Sequence, residues 1–124
     1  MKKPKKTFSN ASLFFSFLTA SRSAKGFAVL AKMDPVDERI LLELALHWKD
    51  DSPITVVQTM HEVSFVSTTT AHRRLKILRK IGMIDLATDP VDNRVKHVIP
   101  TEKTMQYFEY LGQCVRDAQV SASV

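Results

Sequence analysis

The run of residues 54–84, ITVVQTMHEVSFVSTTTAHRRLKILRKIGMI, constrains the fold more than any other part of the chain. A short first helix is marked by apolar residues at Val57, Met60 and Val63. A break of four residues follows at 64–67, and Ser67 is a good N-cap for a second helix. In that helix apolar residues recur at helical spacing at Ala71, Leu75, Leu78 and Ile81. Two short helices joined by a tight turn predict a helix-turn-helix.

The second helix combines its apolar face with a basic, hydroxyl-rich face. At about 100° per residue, Ala71, Leu75 and Leu78 share one side of the helix. The other side carries Thr69, Arg73, Lys76 and Lys80. Backbone N–H groups and short hydroxyls at the first turn can approach phosphates or base edges, and an arginine one turn later can fork onto guanine. This pattern is typical of a helix that enters a DNA groove.

A second predicted feature, a hairpin, follows the helix. Gly82 stands where a left-handed residue ends a helix, residues 83–88 read as a strand, and a turn-forming run leads to a second strand at 95–99. A helix-turn-helix followed by a two-stranded hairpin predicts a winged helix. We expect Arg94 at the wing tip to enter a minor groove, with Asp92 holding its side chain or the turn in place. The alternative is an exposed ion pair that contacts no DNA.

The predicted DNA contacts come from the second helix and the wing. They are Ser67, Thr68, Thr69, Thr70, His72, Arg73, Lys76, Arg94 and Lys96. We expect Thr69 and Arg73 to read base edges. Lys76, Arg79 and Lys80 should contribute mainly phosphate affinity or solubility. For His72 the alternative to a phosphate contact is an ordinary exposed helix residue.

These residues resemble the MarR family of winged-helix transcription regulators over roughly residues 34–110. The likeness rests on the 54–84 run and on DPVDNRVKHVIPTEKT after it, where Asp92 and Arg94 match the family's D-x-R wing signature. Pro100-Thr101 stands where the family has Leu-Thr at the opening of the last helix. The resemblance implies a dimeric, sequence-specific regulator of transcription that binds double-stranded DNA. Small aromatic acids act as effectors in this family, but no residue here establishes such a pocket.

A second resemblance, to another family of regulators, covers fewer residues. MDPVDERILLEL, at residues 33–44, is similar to the opening of Lrp/AsnC regulators. The chain after residue 110 is too short for their ligand-binding domain. A MarR-like interpretation is therefore favoured.

The fold class expected is mainly α with a small β-hairpin wing, in one domain with dimerisation helices at both ends. We expect a disordered basic arm at 1–7, an N-terminal helical segment at 8–33, the winged helix at 34–100, and a last helix with a frayed tail at 101–124. The apolar stripe of the N-terminal helix consists of Leu13, Phe17, Ala20, Ala24 and Phe27. Between the N-terminal helix and the helix-turn-helix, a scaffold helix begins with Asp34 as its cap and Pro35 at its first position.

The last helix, capped by Thr101, carries two apolar faces. One consists of Met105, Phe108, Leu111 and Val115. The adjoining one consists of Tyr107, Tyr110, Cys114 and Ala118. One face can serve the domain's own core and the other a second subunit, which predicts a homodimer. The alternative is that both terminal helices pack within one chain.

Composition agrees with a nucleic-acid partner. Lys and Arg number 18 against 13 Asp and Glu, a net charge of +5 over 124 residues. The single cysteine, Cys114, excludes an intramolecular disulfide and fits a reducing compartment, so we expect a cytoplasmic, nucleoid-associated protein in a bacterium. The cationic start followed by LFFSFLTA is too short and too interrupted for a signal peptide or a membrane span.

Catalytic and metal-binding patterns are missing from the sequence. The four histidines lie on separate predicted elements without ligand spacing, although His61-Glu62 and Asp85 could converge on folding. We therefore expect neither an enzyme nor a bound metal or cofactor. Two classes of function remain: a transcription regulator, or a winged-helix module used for protein contacts or for replication and partition of mobile DNA.

Overall fold

The computed structural model describes residues 8–22 and 33–122. These residues form α1 (Ser9–Arg22), α2 (Pro35–Trp48), α3 (Val56–Glu62), α4 (Thr68–Lys80), β1 (Ile84–Thr88), β2 (Lys96–Pro100) and α5 (Glu102–Ala122). The predicted fold class, mainly helical with one small antiparallel hairpin, is confirmed. The basic arm at 1–7 and the stripe positions Ala24 and Phe27 lie outside the described residues. The chain forms two compact units, residues 29–105 and residues 1–28 with 106–124.

In the unit of residues 29–105, α2 is the central scaffold. Asp34 caps the helix by accepting the Val36 N–H at 2.8 Å, and Pro35 occupies its first turn, as predicted. Its inward face is fully buried at Ile40, Leu41 and Leu44. Trp48 ends the helix and donates its indole N–H to the Val98 carbonyl at 3.0 Å, which ties α2 to the hairpin.

Helix α3 begins with a capping box in which Thr55 and Gln58 exchange side-chain and backbone hydrogen bonds of 2.9 and 3.0 Å. Its buried face runs through Thr59 and Val63. The prediction that Val57 belongs to the apolar packing face is wrong, because 66% of this residue is exposed. Thr59 packs inward instead, since its hydroxyl is satisfied by the Thr55 carbonyl at 2.8 Å.

Helix α4 matches its predicted start and packing face. Ser67 accepts the Thr70 N–H at 3.1 Å, and Ala71, Leu75 and Leu78 are buried. The helix is closed by Gly82, whose φ of 82° is a left-handed conformation that favours glycine. The Met83 N–H then returns to the Leu78 carbonyl at 2.9 Å, which completes the helix end.

The hairpin has the register Ile84↔Pro100 through Thr88↔Lys96. The first strand therefore begins one residue later than predicted, because the Met83 N–H belongs to the end of α4. The second strand is shifted by one residue in the same direction, because the Val95 N–H closes the turn onto the Asp92 carbonyl at 3.0 Å. A bridge not predicted from the sequence joins Thr55 to His97, so β2 is also held by the chain that leads into α3.

The start of α5 is fastened to the chain that joins α4 to β1. Thr101 accepts the Thr104 N–H at 3.2 Å, as its predicted capping role requires, and donates its hydroxyl to the Gly82 carbonyl at 2.6 Å. The buried Thr104 hydroxyl donates to the Met83 carbonyl, and Lys103 donates to the Ile81 carbonyl at 2.8 Å. These hydrogen bonds join the chain just before β1 to the chain just after β2.

In the second unit, α1 begins at Ser9, inside the helical segment expected at 8–33, and contains no buried residue. Phe8, Phe14 and Phe15 are each more than half exposed. The Tyr110 hydroxyl on α5 donates to the Ala20 carbonyl at 2.9 Å, and its hydrogen bond with Cys114 together with burial raises the pKa of Tyr110 to about 12.

The two predicted faces of α5 differ in their exposure. Tyr107, Cys114 and Ala118 are buried, whereas Met105 and Val115 are about half exposed. Helix α5 continues to Ala122, and the frayed tail expected at the end of the chain stays a prediction. Among the described residues no helix is long and apolar enough to span a membrane.

Candidate nucleic-acid interface

One side of α4 is an exposed arc of hydroxyl and basic side chains. It contains Thr69, His72, Arg73, Lys76 and Lys80, all of them exposed. The arc lies opposite the buried residues Ala71, Leu75 and Leu78, so the same helix is fixed on one side and free on the other. Cations projecting from a fixed helix can meet phosphates and base edges without reordering the backbone.

The first turn of α4 presents hydroxyls in two different states. Ser67 and Thr70 are engaged with each other, since Ser67 accepts the Thr70 N–H and its hydroxyl donates to that of Thr70 at 2.9 Å. Thr68 and Thr69 are exposed on the same turn. Of the predicted contacts at this turn, Thr68 and Thr69 are therefore the better placed to reach a ligand, and Ser67 and Thr70 shape the turn.

Arg74 is a basic residue of α4 that does not belong to the exposed arc. Its Nη1 lies 3.5 Å from Asp37 Oδ2 and its Nη2 lies 3.6 Å from Asp34 Oδ2, so the guanidinium faces α2. Burial raises the pKa of Asp37, and the nearby Arg74 charge opposes that rise. The contact between Asp37 and Arg74 was not predicted from the sequence.

Arg79 lies at the other edge of the arc. Its Nε is 3.7 Å from Asp85 Oδ1 on β1, and both side chains are more than half exposed. Exposed pairs of this kind contribute little to stability. The contact nonetheless directs the guanidinium toward the hairpin.

The wing tip is an Arg-Asp fork. Arg94 Nε and Nη2 donate to the two oxygens of Asp92 at 3.1 and 3.2 Å, and the Arg94 backbone N–H donates to Asp92 Oδ1 at 3.0 Å. These hydrogen bonds hold the pKa of Asp92 below its ordinary value. The Arg94 side chain remains 89% exposed, so Asp92 orients it without covering it. This geometry agrees with the predicted holding role of Asp92.

Asp89 organises the base of the wing, a role that was not predicted from the sequence. One oxygen of Asp89 lies 2.8 Å from His97 Nε2, and the other accepts the N–H groups of Val91 and Asp92 at 3.0 and 2.9 Å. These hydrogen bonds, that with His97 first, lower the pKa of Asp89 to about 2. The Asp-Pro-Val-Asp sequence was a usable signal, since aspartate readily bonds the backbone two residues ahead. Beside this base, Lys96 is exposed and donates to the Thr88 hydroxyl at 2.6 Å.

A pocket of about 150 Å³ lies between α4 and the hairpin. Its apolar lining comes from Val56, Leu75, Ile84, Leu86 and Val98. Its basic lining comes from His72, Lys76 and Arg79. Two residues of the exposed arc, His72 and Lys76, therefore also border a small apolar cavity.

No metal-binding cluster occurs in residues 8–22 and 33–122. The suggested convergence of His61-Glu62 with Asp85 is not formed there, because Glu62 lies 3.6 Å from His47 and Asp85 contacts Arg79. His97 contacts Asp89 at the wing.

Comparison with known proteins identifies the fold. The chain is similar to a MarR-like transcriptional regulator from Thermotoga maritima, with 21% identity, a TM-score of 0.67, and coverage of 91% of this chain and 74% of that one. It is similar to S. aureus MepR bound to ethidium bromide, with 16% identity, a TM-score of 0.67 and coverage of 94% and 81%. A mutant E. coli MarR complexed with operator DNA gives 17% identity, a TM-score of 0.55 and coverage of 92% and 74%.

No protein-family model and no curated protein sequence matches the chain. The structural similarity nevertheless extends over about nine-tenths of it. The chain therefore has the winged helix-turn-helix fold of MarR-like regulators, as the resemblance over residues 34–110 implied.

Proposed function

We propose that this protein is a sequence-specific transcription regulator that binds double-stranded DNA as a homodimer. The observation that carries the proposal is the exposed basic arc of α4, fixed from behind by buried apolar residues and accompanied by the exposed Arg94 at the wing tip. The solved relative complexed with operator DNA has the same fold. The proposed regulator has no catalytic role and acts in the bacterial cytoplasm.

In this proposal α4 is the recognition helix and lies in a major groove. Thr69 and Arg73 approach base edges, where the guanidinium of Arg73 can donate two hydrogen bonds to guanine. Lys76 and Lys80 face phosphates. Thr68, in the first turn of α4, faces the sugar-phosphate backbone of the DNA. The wing then meets the neighbouring minor groove through Arg94, with Lys96 beside it.

The dimer is proposed from the two terminal helices, α1 and α5. The exposed phenylalanines of α1 and the exposed face of α5 at Met105 and Val115 are apolar surfaces that favour burial against another subunit. Light scattering at micromolar concentration should give the mass of two chains, and Phe14→Glu with Phe17→Glu should reduce it. A monomer, or an unchanged mass after these substitutions, contradicts this part of the proposal.

A small-molecule effector is proposed for the pocket beside α4. Its apolar floor and basic edge fit a small aromatic acid, and a ligand there would engage His72 and Lys76, which also face DNA. Benzoate is a suitable probe. It should release bound DNA from the wild-type protein and have less effect on Leu86→Trp, which fills the cavity.

The decisive experiment for DNA binding selects duplexes from a random pool and measures affinity for the selected and random duplexes at several salt concentrations. We expect a preferred inverted repeat and an affinity that falls steeply with salt. Binding that is strong but shows no preference would favour a role in replication or partition of mobile DNA. Absence of binding at low salt would favour a protein-interaction module.

A further inference from the structure

Two neighbouring arginines on α4 have opposite surroundings. Arg73 is exposed, whereas only 23% of the Arg74 side chain is exposed, and its guanidinium is directed at Asp37 and Asp34. The two carboxylates lie about one helical turn apart at the start of α2, and Asp34 is also the cap of that helix. One planar cation on α4 therefore contacts two fixed points on α2.

The placement of Asp37 has an energetic cost. Its side chain is 3% exposed, and Oδ1 has no hydrogen-bond partner among the described residues. A buried carboxylate beside an arginine is often less stabilising than apolar residues of similar volume would be, so packing alone gives no reason for it. The Arg74 guanidinium lies at ion-pair distance from one oxygen of each carboxylate, and its Nε has no hydrogen-bond partner among the described residues. Unlike apolar contact, such a pair depends on the distance between particular atoms.

Other polar contacts of α4 with neighbouring elements lie at its C-terminal end. Arg79 pairs with Asp85, and the Ile81 carbonyl just after the helix accepts a hydrogen bond from Lys103. Along the helix, the buried residues Ala71, Leu75 and Leu78 pack through apolar contact, which depends on buried area. Arg74 adds a charged contact with two carboxylates of α2 in the middle of α4, and this attraction weakens when the helix tilts or turns away from either carboxylate.

We propose that Arg74 is a positioning residue, which fixes the orientation of α4 on α2 through Asp37 and Asp34 and so sets how Thr69 and Arg73 meet the bases. The inference rests on the proposed DNA-binding function. Arg74 itself contacts no DNA in this scheme. Its contribution is to the difference in affinity between a selected and a random duplex, because misoriented base contacts are lost while phosphate contacts adapt.

The experiment compares Arg74→Met with two matched variants of the same helix, Arg73→Met and Lys76→Met. Arg74→Met should lower the ratio of selected to random affinity at least about tenfold and leave the salt dependence unchanged. It should also lower the melting temperature, because Asp37 is left buried without its cation. Arg73→Met should leave the melting temperature unchanged, and Lys76→Met should reduce the salt slope by about one.

A second variant separates positioning from packing. In Asp37→Leu with Arg74→Met the uncompensated charge is removed, so the melting temperature should return toward that of the wild type. The affinity ratio should stay low, because the charged contact between α4 and α2 has not been restored. Recovery of both quantities would overturn the proposal and leave a packing role, and a reduced salt slope in Arg74→Met would make Arg74 a phosphate contact.

The DNA-binding proposal and the Arg74 proposal fail in different ways. A wild-type protein that prefers no duplex would contradict sequence-specific binding. In that case amide chemical shifts, measured without DNA, still test whether Arg74 positions α4. Both the single and the double Arg74 variant should shift the amides of Thr68 and Thr69, which lie more than one turn from the substitution, further than Lys76→Met does. Unchanged Thr68 and Thr69 amides in both variants would overturn the positioning role.

Discussion

The two elements proposed to meet DNA are held in different ways. Helix α4 is fixed by buried apolar residues and by Arg74, whereas the wing tip is held by hydrogen bonds among Asp89, Asp92 and Arg94. Most of the wing groups are exposed to water, which competes for such bonds. We therefore expect substitutions in α4 to affect both folding and the proposed recognition of DNA, and substitutions in the wing to affect the proposed recognition with little effect on the stability of the fold.

The largest effect is expected from the buried face of α4. Leu78→Ala should lower the free energy of unfolding by about 2–5 kcal/mol, because it leaves a cavity at a fully buried site. Urea denaturation measures this loss. The matched control is Val91→Ala at the wing, where the side chain is 92% exposed and the midpoint should not move. Equal losses in both variants would remove the contrast between the two elements.

Arg73→Ala should have the next largest effect, on binding rather than on stability. Loss of its base contact should cost about 1–3 kcal/mol on a selected duplex and leave weak binding to random duplex nearly unchanged. Fluorescence anisotropy at fixed salt measures both affinities. If all sequences lose affinity equally, Arg73 contacts phosphate and the recognition role moves elsewhere on α4.

Arg94→Ala tests the expectation that the wing contributes to DNA binding and not to stability. We expect affinity for the selected duplex to fall about tenfold, or roughly 1.4 kcal/mol, because the minor-groove contact is lost. The melting temperature should stay unchanged, since the Arg94 side chain is 89% exposed. A folded variant with unchanged affinity would leave the Asp92-Arg94 fork as a surface ion pair.

The smallest effect concerns the pH dependence of the wing. Because the folded pKa of Asp89 is about 2, below its ordinary value, the stabilisation from this carboxylate is present above about pH 4 and is lost as the pH falls through about 2. The amide chemical shifts of Val91 and Asp92 should report a midpoint near that folded value. A midpoint near pH 4 would show that the carboxylate does not hold the turn.

Local sequence signals predicted the elements well. Helical spacing at Ala71, Leu75 and Leu78, the cap at Ser67 and the glycine at Gly82 act over one or two turns of chain, and the structure has all of them. The strand ends were shifted by one residue, because hydrogen bonds at the end of α4 and in the turn compete with the ladder. The spacing of apolar residues in the sequence does not show which of these competing hydrogen bonds will form.

Contacts between distant residues were not predictable in the same way. Arg74 lies at the edge of the apolar face of α4, and only the packing of α4 on α2 brings Asp37 opposite it. Likewise, the hairpin register brings His97 to Asp89. Thr59 is buried although it is polar, because its hydroxyl donates to the Thr55 carbonyl, whereas Val57 is exposed. Charged and polar side chains at such borders take their role from tertiary structure.

Methylation interference on a selected duplex tests the central claim most directly. Dimethyl sulfate modifies guanine N7 in the major groove and adenine N3 in the minor groove, so one reaction probes both proposed contacts. We predict that guanine methylation blocks binding within each half-site and that adenine methylation blocks it in the flanking minor groove, the latter effect disappearing in Arg94→Ala. Binding that neither modification disturbs would contradict the account, since α4 and the wing would then not enter the grooves.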